Sequence, residues 1–425
     1  MQTNRYPQKK RLARSPDSCR PDGGYRHTTP SIGFVSTYPP TECGIATFTS
    51  ALRTAIADER CSADRLKVVS LVDARRDDAA PEVMFQHVTG DPRSLELAGK
   101  ALNDMDIAVV QHEYGIYGGA DGAEVLDLVT SLKVPSVVVL HTVPANPTPN
   151  QRRILEALVR ESTRSIVLSQ SALSQLLFRY DVAREKVTVV PHGANSDFVP
   201  RSLTVERPQL LTWGLIGPGK GLETALEAVA ELGDLRPQPR YLIQGGTHPK
   251  VREGAGNSYF QGLVDRAHSL ELDGVVQFDN RYVDLASLNT TIRRADIVVL
   301  PYDSTEQVAS GVLVEAIAAG KPVVATEFPH AVEMLSTGAG IVVPHRDSAA
   351  MATALRRLLT RPDEMAAMGQ VAKSLGATLD WANVATSYED VVQSLTLEQE
   401  ARAGLERSLT RGPAPADLTS AGRDL

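Results

Sequence analysis

The chain has no apolar run approaching the roughly 18 residues that a membrane-spanning helix requires, and its basic beginning lacks the apolar stretch of a secretory leader. These absences predict a cytoplasmic protein that neither crosses a membrane nor is exported. Its three cysteines, Cys19, Cys43 and Cys61, are too few and too scattered for a disulfide framework or a paired Cys-x-x-Cys metal site. An excess of positive charge is missing too. Forty-four basic against 51 acidic residues give a net charge of −7, which excludes global attraction to nucleic acid or to anionic lipid and leaves only local polyanion contacts.

What the chain does have is enough apolar material for more than one core. At 425 residues, 42% hydrophobic and 22% charged, it is too long for one ordinary domain and predicts two. Residues 1–29 mix Arg5, Lys9, Lys10, Arg11, Arg14 and Arg26 with Pro and Gly and carry no hydrophobic period, so they are expected to be a disordered tail. The functional alternative, a polybasic arm making a peripheral membrane contact, is weighed against a plain solvated tail, and composition favours the latter. Residues 404–425 are expected to be a second tail.

Between the tails, short β-branched runs alternate with longer helical patterns, the signature of βαβ units and a parallel sheet. Strands are predicted at Ile32–Ser36, Leu66–Val72, Asp106–His112, Ser136–His141, Ser165–Leu168 and Val187–Val190, with helices between them that include Ala46–Ala57 and Ala120–Leu132. Prolines and Gly193 interrupt the pattern near Pro191–Pro208. It then restarts with strands at Gln209–Leu215, Arg240–Gln244, Val275–Phe278, Asp296–Pro301, Pro322–Thr326 and Ile341–Val343, and with helices such as Val251–Ser269 and Val312–Ala319. The expected organisation is a domain over 30–198, a second over 199–378, and a helix over 379–403 carrying Trp381, Val384, Tyr388, Val391 and Val392. Two open α/β sheets in tandem place the carboxyl ends of their strands, where ligands bind, on either side of one cleft.

Two constellations fall at such strand ends. In WGLIGPGKGLETALEAV, a glycine-rich turn opens a helix; its N-terminal amides and Lys220, next to Gly219, suit a phosphate. Gly214-x4-Gly219-Lys220 imitates a P-loop, but residue 221 is Gly where that motif needs a magnesium-binding hydroxyl, which weighs against a nucleotide hydrolase. A turn that used its glycines only for packing would leave Lys220 unexplained. In LPYDSTEQVASGVLVEAIAAGKPVVATEF, Ser310 and Gly311 open a helix, followed by Val312, and Glu315 sits one turn in, positioned for a ribose diol. A solvated glutamate is the plain alternative. In the first half, Gly44 to Thr47 are expected to form the loop after the first strand, while His112, Glu113 and His141 end neighbouring strands. A lone strand-end histidine is usually structural; three polar groups on adjacent strands make a candidate site.

The segment Glu315-Ala-Ile-Ala-Ala-Gly-Lys-Pro-Val-Val-Ala, with Lys220-Gly221, His141 and Pro191-His-Gly193, resembles the retaining GT-B glycosyltransferases with a Glu-x7-Glu signature, group 1 and family 4-like. TYPPTECGIATF, QHEYGIYGG and SGVLVEAIAAGKPVVAT look like one bacterial subgroup, and the resemblance covers about residues 31–395. It implies two Rossmann-like domains facing a cleft and a terminal helix with Asp380, Trp381 and Tyr388 that crosses back to the first domain. It also implies transfer, with retention, of a glucose- or mannose-type hexose from UDP- or GDP-hexose to a carbohydrate or glycolipid acceptor. His141, Lys220 and Gln307 would be catalytic. Gly44, Gly219, Lys220, Ser310, Gly311, Val312 and Glu315 would hold the donor, and His112, Glu113 and Thr47 the acceptor. No DxD-type carboxylate pair stands near the cleft loops, so neither metal nor other cofactor is expected. Two departures stand out: the first Glu of the signature is Gln307, and the usual Arg beside the diphosphate is Leu215. They keep open a phosphorylase using a sugar 1-phosphate and a binding protein without turnover; an epimerase shares the architecture but needs no acceptor pocket.

Overall fold

The computed structural model describes residues 29–196, 207–247 and 258–410, with side chains of the last helix to residue 403. The predicted tail over 1–29 lies almost wholly outside these residues, as do the middle of the Pro191–Pro208 boundary and the first turns of the helix predicted from Val251.

Seven parallel strands form the first sheet: β1 (Ile32–Ser36), β2 (Leu66–Val72), β3 (Val83–Val88), β4 (Ile107–His112), β5 (Ser136–Leu140), β6 (Arg164–Val167) and β7 (Val187–Val189), in the order β3-β2-β1-β4-β5-β6-β7. Its central strands are buried on both faces, which is why they read as continuous Val, Ile and Leu runs rather than as alternating ones. One face carries α2 (Pro92–Asn103), α3 (Glu124–Ser131), α4 (Pro149–Glu161) and α5 (Gln170–Arg179). The other face carries α1 (Gly44–Arg60), whose Phe48, Leu52 and Ile56 meet Val384, Tyr388 and Val392 of the last helix.

The second sheet is also parallel, with β8 (Gln209–Trp213), β9 (Arg240–Gln244), β10 (Val276–Asp279), β11 (Ile297–Leu300), β12 (Val323–Thr326) and β13 (Gly340–Val343) in the order β10-β9-β8-β11-β12-β13. On one face lie α6 (Leu222–Ala230), α7 (Ser258–Ser269) and, later in the chain, α11 (Ser348–Thr360). On the other are α8 (Leu285–Arg294), α9 (Gly311–Ala318), α10 (Pro329–Leu335) and α12 (Pro362–Gly376). In each sheet the chain reverses its direction of winding beside the first strand, between β1 and β4 and between β8 and β11, which opens a crevice at the carboxyl ends.

The two halves are tied where the chain crosses between them twice. Ala194 donates to Leu379 O at 2.9 Å and accepts from Trp381 N at 3.2 Å, so the outgoing and returning strands run side by side. From there α13 (Trp381–Thr410) lies along α1, fixed by Arg60, which pairs with Glu389 at 2.6 Å. This helix runs to Thr410, past residue 403 where a tail was expected, because Leu405, Glu406, Arg407 and Leu409 continue to favour helix.

Several elements differ from expectation. The stretch from Ala120 to Leu132 is not one helix: a 3-10 turn over Ala120–Gly122 breaks at Asp121 and Gly122, both with positive φ, before α3 begins. Gly44 to Thr47 are the first turn of α1 rather than a loop, since the Cys43 sulfur caps Ala46 N–H at 3.3 Å. β3, α2, α10 and α12 were not foreseen.

Candidate functional site

The site in the second domain is built around β8 and β11. α6 begins at Gly221 with no side-chain cap, so its first N–H groups face outward at the end of β8. Glycine is obligatory here. Its φ is +62°, and a Cβ would come within 1.8 Å of Pro301 O, so the turn packs directly on the exit of β11. The preceding residue, Lys220, places its ammonium 4.3 Å from the centroid of the Tyr302 ring, a cation–π contact that holds the charge at the turn. Leu215 is half-buried beside this turn and contributes no charge.

A second helix mouth opens next to it. Ser310 caps α9 by accepting from Leu313 N–H at 3.3 Å, and Ser310 N–H donates to His330 Nδ1 at 2.9 Å. That leaves the Gly311 and Val312 N–H groups without a partner among the described residues. Val312 also touches the Gly214 position, 3.7 Å from where a Cβ would stand, so the two mouths adjoin. Farther along α9 the partly buried Glu315 carboxylate accepts from Trp213 Nε1–H at 3.1 Å. Burial pushes its pKa up to about 7, and the indole hydrogen bond only partly offsets this.

Facing these mouths, the first domain presents neutral imidazoles. His141 follows β5 and donates from Nε2 to Gln111 Oε1 at 2.7 Å, which leaves Nδ1 as an acceptor. Desolvation, reinforced by His192 and His112, lowers its pKa to about 3. The ring packs edge-on to Phe48 of α1, with centroids 4.9 Å apart; Phe48 makes the same contact with His192 and lies 5.2 Å from Trp381. His192 donates from Nδ1 to Gly193 O at 2.7 Å, and its Nε2 would stand 2.8 Å from a Cβ at Gly311. Only glycine fits at residue 311 while this histidine stays in place. One hub therefore joins α1, β5, the crossing strands and the mouth of α9.

The remaining sequence-derived candidates are less uniform. Gly219 is exposed at the phosphate-type turn with φ +85°. Gln307 turns back on its own loop, donating from Nε2 to Ala309 O at 3.1 Å, while its backbone carbonyl accepts from His330 N–H. His112 is fully buried, both ring nitrogens lack a partner, and desolvation lowers its pKa to about 3. Glu113 accepts from the Thr142 hydroxyl, next to His141. Thr47 bonds Cys43 O at 3.3 Å within α1, and Gly44 is exposed at the start of that helix.

The sequence did not reveal what holds the cleft closed. Glu306, the neighbour of Gln307, accepts from Ala145 N–H at 3.2 Å and from Asn146 Nδ2 at 2.5 Å in the first domain. Glu333 of α10 accepts from Gln170 and Ser171 N–H, at 3.0 and 2.7 Å, at the start of α5, where its charge also suits the helix dipole. The Ser169 hydroxyl donates to Val308 O at 2.5 Å. These contacts join residues more than 130 apart in the chain, so no local pattern announces them.

Two parallel sheets whose carboxyl ends face each other across a hinge, with helix mouths on one side and strand-end histidines on the other, define a cleft protein of the GT-B type. Residues 48–198 match the family model Glycosyltransferase Family 4, and residues 196–375 match Glycosyl transferases group 1. The D-inositol 3-phosphate glycosyltransferase of Corynebacterium jeikeium is 31% identical over 297 residues, 62% of this chain and 67% of the relative. The protein of the same name from Corynebacterium kroppenstedtii is 30% identical over 306 residues, 65% of this chain and 66% of the relative. The matched stretch thus spans about two thirds of these relatives' length. Among solved structures, HepE from Anabaena in complex with UDP superposes with a TM-score of 0.70 at 17% identity, covering 86% of this chain and all of that one. Sucrose-phosphate synthase from Thermosynechococcus elongatus superposes with a TM-score of 0.70 at 19% identity over 87% of this chain and all of its own. The chain belongs to the group 1, family 4-type glycosyltransferases. No helix among the described residues is long and apolar enough to cross a membrane.

Proposed function

We propose that the protein is a retaining hexosyltransferase that moves a glucose- or mannose-type hexose from a nucleotide sugar, UDP- or GDP-linked, to a carbohydrate or glycolipid acceptor without a metal. The observation that carries this reading is the convergence of Lys220 with the uncapped start of α6 and the free N–H groups of Gly311 and Val312, all opposite His141. Such an array is preorganised for charge that develops on a departing diphosphate. HepE from Anabaena has been solved with UDP-glucose as well as with UDP, which supports a nucleotide-sugar donor in this fold.

In this mechanism the bond from the anomeric carbon to the phosphate oxygen breaks as the acceptor hydroxyl attacks from the same face. The acceptor's proton passes to the departing phosphate oxygen, so no protein base is needed. His141 remains neutral at physiological pH and accepts from a sugar hydroxyl at Nδ1. The Gln307 amide turns outward from its own loop to hold hydroxyls of the transferred sugar, and Glu315 accepts from the ribose. Glu113 and Thr47 line the acceptor side, with the fully buried His112 behind them supporting that wall rather than touching the acceptor, and Gly44 and Gly219 give the donor close access to the backbone.

Leu215 favours a second reading. With a single cation at the turn, a hexose 1-phosphate, which has one phosphate fewer, would suffice, and the protein would be a phosphorylase. Incubation with UDP-, GDP- and ADP-hexoses, and separately with hexose 1-phosphates, while nucleotide or phosphate release is followed and the product anomer is read by NMR, decides between them. Nucleotide release with a retained anomer, abolished for the most part in Lys220→Ala, is expected. Release of phosphate alone, or near wild-type turnover in Lys220→Ala, would contradict the assignment.

A further inference from the structure

A cavity of about 430 Å³ opens in the first domain at the carboxyl ends of β3 and β4, away from the phosphate turn. Its walls are Gly90 after β3, Gly118 and Gly119 after β4, Asp127 and the apolar Ala123 and Leu126 of the α3 region, with Arg153 of α4 at the rim. The size is that of a small-molecule pocket. The site is built rather than accidental. Glu124, its carboxylate largely buried, accepts from Gly90 N–H at 2.9 Å and from Gly118 N–H at 2.8 Å, joining the two loops that form the mouth. Asn150 fixes the far side of the same loop by donating to Ala120 O and to the Asp121 carboxylate.

The loop that forms this mouth is the one that carries Glu113, which bonds Thr142 beside His141. Gly118 lies five residues along the chain from Glu113, so at most about 18 Å of chain joins the cavity mouth to the residue beside His141. That is within reach of an acceptor several rings long.

Its charge is what distinguishes it. Asp127 has no side-chain partner among the described residues, and the guanidinium in the lining, Arg153, is turned to the neutral Asn150 Oδ1 at 3.0 Å; the Glu124 carboxylate is taken up by the Gly90 and Gly118 N–H groups and by the His87 ring, whose Nε2 lies 3.2 Å away. Apolar Leu95, Ala123 and Leu126 beside the unpaired Asp127 carboxylate suit the C–H face and hydroxyls of a sugar, whereas a phosphate entering here would be repelled by Asp127 while Arg153 is engaged with Asn150. We propose that this cavity binds the remote part of the acceptor and selects an uncharged polyol or oligosaccharide, in contrast to the phosphorylated acceptor named for the curated relatives. The inference rests on the transferase reading above.

Calorimetric titration of the full chain, with UDP-glucose present, compares maltose and myo-inositol with glucose 6-phosphate. At least one neutral ligand is expected to bind about tenfold more tightly than the phosphorylated one, a gap of about 1.4 kcal/mol. Asp127→Arg, on an exposed position, should narrow or invert that preference, and Ala123→Trp should abolish neutral-ligand binding by filling the cavity. Glucose 6-phosphate binding as tightly as the neutral ligands, no neutral ligand binding, or an unchanged preference in Asp127→Arg would overturn the proposal. UDP-glucose binding, measured separately in each variant, keeps the two claims apart. Failure of the wild type to bind UDP-glucose and GDP-mannose alike would count against the transferase reading, while donor binding that persists beside unaltered acceptor binding in both variants would count against the cavity alone.

Discussion

The raised pKa of Glu315 makes donor binding depend on pH in a calculable way. In the free protein the carboxyl titrates near pH 7 because burial disfavours its charge. A ribose diol donates hydrogen bonds and so binds best to the ionised form. At pH 6 about one molecule in eleven carries the carboxylate, and at pH 8 about ten in eleven. Affinity for UDP-glucose should therefore rise about tenfold across that interval, or about 1.4 kcal/mol. Calorimetry at pH 7 in two buffers of different ionisation enthalpy should also show release of about half a proton per donor bound. The stability of the unliganded protein moves the opposite way: the folded-state pKa lies above the unfolded value of 4.5, so this group's contribution is complete below pH 4.5 and is lost as pH rises through 7. That contribution is at most about 3 kcal/mol. In Glu315→Gln the pH slope of donor affinity should vanish. Wild-type affinity that stays constant from pH 6 to 8, or an equal slope in Glu315→Gln, would refute the assignment of this carboxylate to the donor.

Two further expectations concern the loop and helix that meet the first domain. Glu333→Gln removes the negative charge that holds two N–H groups of α5, each such bond contributing about 1.5 kcal/mol or more; small-angle scattering of the unliganded variant should show a larger radius of gyration, and an unchanged profile would contradict the role of Glu333 in closure. Gln307→Glu places a carboxylate near the departing phosphate with only Lys220 to offset it, so kcat at saturating donor should fall at least as much as binding weakens; a substantial gain in kcat would mean that the natural protein is a degenerate enzyme and favour a binding role.

The architecture was legible because buried parallel strands announce themselves. β4, β5, β8 and β11 are runs of Ile, Val, Leu and Ala bounded by polar residues, and their positions follow from those runs almost residue for residue. β3 was not legible, because at the sheet edge Val83–Val88 is half-exposed and includes Gln86 and His87, which leaves no clean period. α10 is too short, at seven residues, to establish a helical repeat. The turn around Lys220 and the helix opening at Ser310 were readable from local glycine and capping patterns. The start of α1 was misjudged because a cysteine is an unusual cap. The clamps of Glu306 and Glu333 and the cavity above Glu124 depend on contacts between distant segments, and nothing within a short window of sequence encodes them.

The central claim is that the cleft binds a nucleotide sugar through Lys220 and the mouths of α6 and α9. It is tested most directly by thermal denaturation of the wild type and of Lys220→Ala with UDP-, GDP- and ADP-hexoses and with hexose 1-phosphates. At about 100 times its dissociation constant, the true donor should stabilise the wild type by about 2.7 kcal/mol. The account predicts that a nucleotide hexose does this and that the effect is largely lost in Lys220→Ala; stabilisation by a hexose 1-phosphate alone, or equal stabilisation of both proteins by the nucleotide sugar, would contradict it.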